Sequence, residues 1–427
     1  MQRVLIVFPT QWDLKQLEAC RAAWSERYEL TFTEPSDDEW PWDFDVLGFI
    51  DRAVERYRGA IDGVLSASDY PGAPVAAAIA TALGLPGPTP QSVLRCGHKL
   101  DSRVAQREAA PAATPRFCRL DPRDPVGSLA IGFPCFVKPV KGAFSILSGR
   151  VDSAEQLRAF LARPAAREFG RQFVHMFSQL LRRYTDSDLE GGVFMAEELL
   201  QGRQVTVEGF SRGGAVEILG VVDSVLHPER GSFVRFDYPS RLAAGVQSRM
   251  AEIAGRVIRQ VGLGDALFNI EMMFDAERDR ISIIEVNPRL CGQFGDLYQK
   301  VDGVSNYEVA LALATGSEPR RSHRRGDCRV ACSWPLRIFE PTRVVRAPPP
   351  QQVEAVEHEF PGTLIWKECR SDLDLTDFER MEDGASVRYG VINAGAEDHE
   401  ALQAKLDQIY ARLGFELVPL TSPMPDP

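Results

Sequence analysis

The sequence lacks several features that mark whole classes of protein. Its N-terminal apolar run, Val4 to Phe8, ends at Pro9 and is too short for a signal-peptide core or a membrane span, so it predicts a buried strand. Positive charge is in deficit, since 49 Lys and Arg residues stand against 60 Asp and Glu residues and leave a formal net charge of −11. Because such a field repels phosphate backbones and anionic lipids, we expect neither nucleic acid nor a membrane as partner.

Cysteine pairs at ligand spacing are also missing. The eight cysteines are scattered along the chain, with no CxxC pair and no recurrent spacing. Cys328 and Cys332, with His323 upstream, make only half of a metal site because no second pair of ligands lies at a suitable spacing. We therefore expect reduced thiols in a cytoplasmic protein.

Two familiar phosphate-binding patterns are absent as well. The chain has neither a Walker sequence nor a dinucleotide glycine fingerprint. The sequence therefore gives little support to the hypotheses that the protein is a P-loop ATPase or a Rossmann dehydrogenase. What is present is a chain of 427 residues with 44% apolar side chains, enough for roughly three domains with buried cores.

The N-terminal part of the chain alternates apolar strands with amphipathic helices. Strands are predicted at 3–8, 30–33 and 63–66, and helices at 11–27, 46–57 and 74–83. Such alternation predicts a parallel sheet with helical crossovers. A cluster of Pro and Gly residues at 84–90 marks the end of this first domain.

The pattern after residue 90 mixes helices with alternating strands. Helices are predicted at 91–110, 153–183, 243–261 and 399–413. The fold class is therefore α/β (α+β). We predict four domains, at 1–90, 91–200, 201–320 and 321–427.

The strongest chemical signal is a predicted antiparallel hairpin, with strands at 267–274 and 281–286. Glu271 lies in the first strand, and Glu285 and Asn287 are two residues apart at the end of the second, so their side chains share a face. Two carboxylates and an amide oxygen suit Mg²⁺. The alternative is a solvated sheet face with chance acids, but an unpaired Glu in so apolar a strand is costly. Arg289 follows and can hold a phosphate or a developing oxyanion.

A second signal is a lysine at the end of a predicted buried strand. Lys138 follows Cys135 to Val137 and precedes a turn of small residues at 141–149. Small residues allow backbone N–H groups to approach phosphates closely. Taken alone, the pattern fits an ordinary turn equally well.

Five segments together resemble the ATP-grasp superfamily, which includes D-alanine–D-alanine ligase, biotin carboxylase and the L-amino-acid ligases. The most specific is 284–289 (IEVNPR), which resembles the metal-binding strand of that family. The other segments are 96–103 (CGHKLDSR), 136–139 (FVKP), the turn 142–148 and 196–202 (AEELLQG). The resemblance covers residues 90–318 and implies a preATP-grasp domain before a two-part ATP-grasp fold with a lid, and a small C-terminal domain after it.

The resemblance also implies roles for single residues. Glu271, Glu285 and Asn287 are implied as ligands of Mg²⁺, with Mn²⁺ as the alternative ion. Lys138 and Arg289 are implied as the catalytic cations. Contacts to ATP, from its phosphates to its adenine, are implied for Lys99, Lys138, Ser145, Glu197, Glu198, Leu200, Gln204 and Glu208.

Two of these residues depart from the family pattern or leave an alternative open. Gln204 stands where many relatives have an acidic ribose ligand, although an amide oxygen can also accept a hydrogen bond from a ribose hydroxyl. Glu208 fits a residue facing the phosphates or a substrate ammonium group, and it fits an ordinary exposed strand residue equally well.

The chemistry implied is that of an ATP-dependent carboxylate–amine ligase. It forms an amide or peptide bond through an acyl phosphate and releases ADP and phosphate. The implied partners are a small carboxylate and an amine, with amino acids favoured, and a homodimer is the implied assembly. Two alternatives stay open: a biotin carboxylase-like ATP-dependent carboxylase and a non-catalytic nucleotide-binding regulatory protein. We also expect residues 120–195 to move as one lid.

Overall fold

The computed structural model describes residues 1–34, 44–142, 147–186, 192–376 and 386–420, with the backbone alone for 164–173. The chain divides into two compact units. Unit 1 holds Met1–Val221, Arg241–Gly295 and Asn306–Arg321, and unit 2 holds Val222–Ser240, Asp296–Ser305 and Ser322–Pro427. Unit 2 therefore contains residues 322–427 and two segments that precede them in the chain. The four predicted domains stay a prediction.

Unit 1 begins with a three-stranded parallel sheet in the order β2-β1-β3, as the alternating pattern predicts. Its elements are β1 (Gln2–Ile6), α1 (Gln11–Ala19), α2 (Arg21–Trp24), β2 (Tyr28–Phe32), α3 (Val46–Tyr57), β3 (Gly63–Leu65) and α4 (Gly72–Leu83). A capping box of Thr10 and Asp13 starts α1, and the helix predicted over 11–27 is interrupted at Cys20. The loop after β3 lies at the carboxyl edge of this sheet.

The single helix predicted over 91–110 is wrong, because the chain forms α5 (Pro90–Gly97) and α6 (Lys99–Ala109). His98 separates them in an extended conformation, and its ring Nδ1 accepts a hydrogen bond of 3.2 Å from the backbone N–H of Asp101. A histidine ring thus acts here as a helix N-cap, which the helical spacing of the neighbours conceals. As a result, Lys99 becomes the first residue of α6.

A four-stranded antiparallel sheet follows, in the order β4-β7-β5-β6. Its elements are β4 (Phe117–Arg119), β5 (Cys135–Pro139), β6 (Gly149–Val151), α7 (Ala154–Ala162), α8 (Pro164–Tyr184) and β7 (Phe194–Glu198). The central pair, β5 and β7, places Phe136 opposite Glu197.

Helix α8 contradicts the prediction that residues 120–195 form one moving lid. Its buried side chains Met176, Phe177, Leu180 and Leu181 belong to the hydrophobic core of the N-terminal sheet and its helices. Phe177 and Leu180 are 1% and 0% exposed, so moving α8 with the neighbouring antiparallel sheet would expose this core to water. The end of α8 is therefore part of the N-terminal layer.

The chain then builds a sheet whose order in unit 1 is β12-β11-β8-β9. The elements are β8 (Arg203–Arg212), β9 (Ala215–Leu226), β10 (Phe233–Tyr238), α9 (Ala244–Val261), β11 (Ala266–Asp275), β12 (Arg280–Asn287), α10 (Gly295–Asp302) and α11 (Asn306–Ala314). Buried side chains of α9, including Met250, Ala254 and Val257, pack in one core with Phe268 and Ile283 of the sheet. This packing fixes the hairpin of β11 and β12.

Unit 2 contains the end of β9, all of β10 and nearly all of α10. The rest of the unit is an α+β arrangement. Its further elements are β13 (Val330–Ile338), β14 (Thr342–Arg346), α12 (Pro350–Glu359), β15 (Leu364–Lys367), β16 (Leu373–Leu375), β17 (Val387–Ala396), α13 (His399–Leu413) and β18 (Glu416–Pro419). The strand orders are β10-β13-β17-β15 and β16-β14-β18. Among the described residues, no helix is both long and apolar enough to cross a membrane.

Candidate active site

The predicted hairpin is present, and Glu271 and Glu285 are direct cross-strand partners on β11 and β12. Asn287, two residues beyond Glu285, pairs with Asn269 in the same ladder. Two like charges opposite each other destabilise a sheet unless a cation lies between them. Their alignment is therefore a structural cost that a bound positive charge would remove.

The two carboxylates differ in their surroundings. Burial and the negative charge of Glu285 raise the pKa of Glu271. Burial also acts to raise the pKa of Glu285, but the positive charges of Lys99 and Lys138 outweigh it and hold that pKa below its usual value. The Lys99 ammonium lies 3.1 Å from Glu285 Oε2. Glu271 is consequently the carboxylate that is short of positive charge.

Neighbouring amides orient the remaining oxygen atoms of this group. Asn287 Nδ2 donates to Asn269 Oδ1 at 2.9 Å, so its own Oδ1 is the atom that can ligate a cation. Gln204 Nε2 donates to Glu271 Oε2 at 2.8 Å. Within the described residues no cluster of three or more His, Cys, Asp and Glu side chains has a metal-binding arrangement. A divalent ion here would take two carboxylates, one amide oxygen and ligands from water or a phosphate, a set that suits Mg²⁺.

Lysine is scarce in this chain and is concentrated at this site. Only seven of its 49 basic residues are lysines, and three of the seven, Lys99, Lys138 and Lys141, lie within electrostatic reach of Glu285. The Lys99 ammonium also donates to the carbonyl of Gly142 at 3.0 Å. It therefore joins the hairpin to the start of the turn that follows β5.

Lys138, at the end of β5, belongs to a buried group of three charges. Its ammonium lies 2.7 Å from Glu197 Oε2, and Arg103 Nε donates to Glu197 Oε1 at 2.6 Å. Arg103 also donates to the carbonyl of Ile284 at 2.6 Å, which connects the group to β12. Burial raises the pKa of Glu197, but the two cations outweigh this effect and lower that pKa to about 2.

The comparisons with known proteins agree with this geometry. Residues 131–296 match the protein family described as ATP-grasp domain. These residues are an ATP-grasp domain. The match includes Lys138 and the hairpin with both carboxylates.

Solved structures with this fold extend over nearly the whole chain. The L-amino acid ligase from Bacillus licheniformis has a TM-score of 0.71 and 16% identity, covering 97% of this chain and 98% of that one. Phosphoribosylglycinamide synthetase from Anaerococcus prevotii has a TM-score of 0.66 and 14% identity, covering 97% and 99%. Biotin carboxylase from Campylobacter jejuni has a TM-score of 0.66 and 14% identity, covering 98% and 92%. At such identities the likeness shows the fold, and no curated protein sequence matches the chain.

Glu197 and Glu198 of the ATP-grasp domain have partners within the protein. Glu197 is engaged by Lys138 and Arg103, and Glu198 Oε2 accepts a hydrogen bond of 3.2 Å from Arg116. Arg280 of β12 also donates to Glu198. Adenine recognition by this segment would therefore use its backbone, around the half-buried Leu200, more than the carboxylate of Glu197.

Glu208 is a buried residue of β8, and its predicted contact with the phosphates or a substrate ammonium stays a prediction. It is 0% exposed, so the interpretation as an ordinary exposed strand residue is wrong. Its Oε1 accepts hydrogen bonds from the backbone N–H of Cys291 at 2.9 Å and from Asn306 Nδ2 at 3.0 Å. The carboxylate thus holds the loop after β12. Ser145, predicted to contact ATP, lies outside the described residues.

Sequence reasoning missed Asp69, in the loop between β3 and α4. Its Oδ2 lies 2.9 Å from the Lys141 ammonium, and its Oδ1 lies 4.0 Å from Arg289 Nε. Burial raises the pKa of Asp69, but the charges of Lys141 and Arg289 outweigh this effect and lower that pKa to about 2. An acid in the loop that follows a parallel strand was the available signal, because ligands of α/β proteins bind at that edge of the sheet.

Proposed function

We propose that this chain is an ATP-dependent carboxylate–amine ligase that works through an acyl phosphate and releases ADP and phosphate. The observation that carries the proposal is the direct opposition of Glu271 and Glu285, with Lys99 3.1 Å from Glu285. A half-buried pair of carboxylates beside concentrated lysines suits the transfer of a phosphoryl group, because the pair holds a cation and the lysines balance phosphate charge.

Each residue of the site has a distinct part in this proposal. Glu271, Glu285 and Asn287 Oδ1 hold Mg²⁺, or Mn²⁺ in its place. An ion held there would supply positive charge that offsets the negative charge of the transferring phosphate. Lys99 and Lys138 bind phosphate oxygens as point charges, and Glu197 keeps the ammonium of Lys138 in position at 2.7 Å. The backbone of the segment containing Glu198 and Leu200 reads the adenine, and Gln204 contacts the ribose.

The reaction has two steps. In the first, a carboxylate oxygen of the substrate bonds to the γ-phosphorus of ATP, and the bond from that phosphorus to the oxygen of the β-phosphate breaks to release ADP. In the second, an amine bonds to the acyl carbon, phosphate leaves with the electron pair of the carbon–oxygen bond, and the amine loses a proton. The guanidinium of Arg289 stabilises the oxyanion that develops on the acyl group.

A hydroxylamine trap tests the proposal. The full chain is incubated with ATP, Mg²⁺, hydroxylamine and single carboxylates, including the standard amino acids. We expect a hydroxamate to form while ADP accumulates, and we expect Arg289→Ala to suppress both signals. Release of AMP and pyrophosphate would contradict the mechanism.

The same assay separates the carboxylase alternative. The fold is also similar to that of a biotin carboxylase, with a TM-score of 0.66. Release of ADP that depends on bicarbonate, in the absence of any amine or organic acid, would favour that alternative. Stoichiometric ATP binding without turnover of any substrate would favour the regulatory protein.

A further inference from the structure

The two carboxylate oxygens of Asp69 have different surroundings. Oδ2 lies 2.9 Å from the ammonium of Lys141. Oδ1 faces Arg289 Nε across 4.0 Å, which is longer than a hydrogen bond. The carboxylate is therefore held at one oxygen and presents the other toward a guanidinium that it does not contact directly.

Lys141 is fixed on the far side of Asp69. Its side chain is 3% exposed, and its ammonium lies 4.9 Å from the centre of the Tyr70 ring and 5.4 Å from that of Phe177. Such cation–π contacts stabilise a buried ammonium. The cavity beside Lys141, Tyr70 and Phe177 has a volume of about 10 Å³, room for about one water molecule. A ligand therefore has no space on this side.

Asp69 and Arg289 are both partly accessible to solvent. The side chains of Asp69 and Arg289 are each 21% exposed. Arg289 Nη1 donates to the carbonyl of Leu290 at 3.1 Å, which orients the guanidinium. Its buried Nε has no hydrogen-bond partner among the described residues. An acid and a guanidinium thus stand side by side, oriented by other groups and accessible from solvent.

We propose that Asp69 and Arg289 form the head-group site for an α-amino acid, an inference that rests on the proposed ligase function and names its carboxylate substrate class. The ammonium group of the amino acid donates to Asp69 Oδ1, and its carboxylate accepts from the Arg289 guanidinium. The four charges then alternate around a ring, in which each neighbour is of opposite sign. The 4.0 Å separation of acid and guanidinium is the remaining edge of that ring.

This arrangement selects against an acid that has no amino group. A simple carboxylate on Arg289 would lie beside the negative charge of Asp69 and would bring no ammonium group of its own to bind Asp69 Oδ1, so we expect it to bind more weakly. Glu208, which the sequence offered as a partner for a substrate ammonium, is fully buried and bonded to Cys291 and Asn306. Asp69, whose Oδ1 lies 4.0 Å from Arg289 Nε, is therefore the acid that we assign to the substrate ammonium.

Binding calorimetry tests the inference directly. Each of the twenty standard L-amino acids is titrated into the full chain with ADP and Mg²⁺, and the best ligand is compared with its counterpart that lacks the amino group, such as propionate for alanine. We expect the counterpart to bind at least tenfold more weakly. Binding of no amino acid, or equal binding of both acids, would overturn the proposal.

Two variants of Asp69 make the test specific. Asp69→Asn should weaken binding of the amino acid at least tenfold and leave the counterpart unchanged or tighter, because the lost charge acts on the ammonium. Asp69→Glu keeps the charge and should keep the preference for the amino acid. Asp62→Asn, which removes an exposed acid paired with Arg3, is the matched control and should change neither affinity. Equal weakening of both ligands by Asp69→Asn would contradict the assignment.

The outcomes for the two proposals are separable. If an amino acid binds with the expected preference but no carboxylate supports ADP release, the head-group site stands and the ligase function fails. If acids with and without an amino group support ADP release equally well, the ligase function stands and the head-group site fails.

Discussion

Two groups of charges, one buried and one half-buried, lie close together in unit 1 and differ in how their charge is balanced. In the first, Glu197 of β7 contacts two cations, Lys138 at 2.7 Å and Arg103 at 2.6 Å. In the second, Glu271 of β11 faces another acid, Glu285, whose contact with Lys99 leaves Glu271 uncompensated. The pKa of Glu197 is lowered to about 2, whereas that of Glu271 is raised.

The difference in charge balance indicates which group stabilises the fold and which group binds a ligand. A buried acid with two protein cations is complete, and removing the acid leaves two positive charges without a partner. A half-buried pair of acids with too little positive charge is incomplete until a ligand binds. We therefore assign the first group to the stability of the domain and the second to binding a cation with its phosphate.

The largest effect is expected from a substitution in the second group, the pair of Glu271 and Glu285. Glu285→Gln removes a charged ligand of the ion, and Mg²⁺-dependent ADP release should fall on the order of a thousandfold, because several kcal/mol of charge stabilisation depend on the ion. The midpoint of thermal unfolding should change little, because relief of the like-charge pair with Glu271 offsets the lost contact between Glu285 and Lys99. Glu217→Gln, at a partly exposed acid paired with Arg321, is the control. Near-normal turnover in Glu285→Gln would mean that the ion lies elsewhere.

The next largest effect is expected from a substitution in the first group, which Glu197 forms with Lys138 and Arg103. Because the pKa of Glu197 falls from 4.5 to about 2 on folding, its charge contributes about 3 kcal/mol to the free energy of unfolding at pH 7. Glu197→Gln, which resembles the protonated acid, should lose that amount by chemical denaturation. A depressed pKa stabilises above its unfolded value, so the difference should shrink as the pH falls from about 4.5 toward 2. A constant difference across this range would contradict the ionic assignment.

A smaller effect is expected at Lys138, which contacts Glu197 and is also proposed to bind the phosphates of ATP. Lys138→Met removes a point charge from the phosphates, and the KM for ATP should rise on the order of tenfold to a hundredfold, the value of one charge-assisted hydrogen bond. The variant also leaves Glu197 with Arg103 alone, so a modest loss of stability should accompany it. Steady-state kinetics with varied ATP measures the first effect. Unchanged nucleotide affinity by calorimetry would remove Lys138 from the phosphate site.

The smallest effect is expected at Glu198, which belongs to neither group. Glu198 also has two arginine partners, but Arg116 and Arg280 are 69% and 39% exposed. Water screens such pairs, so Glu198→Gln should cost less than about 1 kcal/mol in urea unfolding. A loss as large as that of Glu197→Gln would show that the number of partners, and not their burial, sets the cost.

Local patterns in the sequence predicted one part of the site and not the other. Alternation of apolar residues and the charged turn between two strands specify the hairpin, so the shared face of Glu285 and Asn287 follows from a period of two. The break at His98 was missed because a ring nitrogen replaces the usual N-cap oxygen. The N-terminal parallel sheet was predicted because strand and helix periods alternate clearly.

The long-range contacts could not be predicted in the same way. Arg103 and Glu197 are 94 positions apart, and Asp69 and Arg289 belong to elements that only the tertiary fold brings together. Helix α8 has an amphipathic pattern that identifies a helix but does not say which core receives it. Pairing across such distances depends on topology, which no short window of sequence contains.

Isotope transfer from the carboxylate tests the central claim most directly. An amino acid labelled with ¹⁸O in its carboxyl group is turned over with ATP, Mg²⁺ and an amine, and the released phosphate is analysed by mass spectrometry. An acyl phosphate keeps the attacking carboxylate oxygen on phosphorus, so each phosphate released with ADP should carry one ¹⁸O. Label in AMP, or unlabelled phosphate accompanying amide formation, would contradict the account.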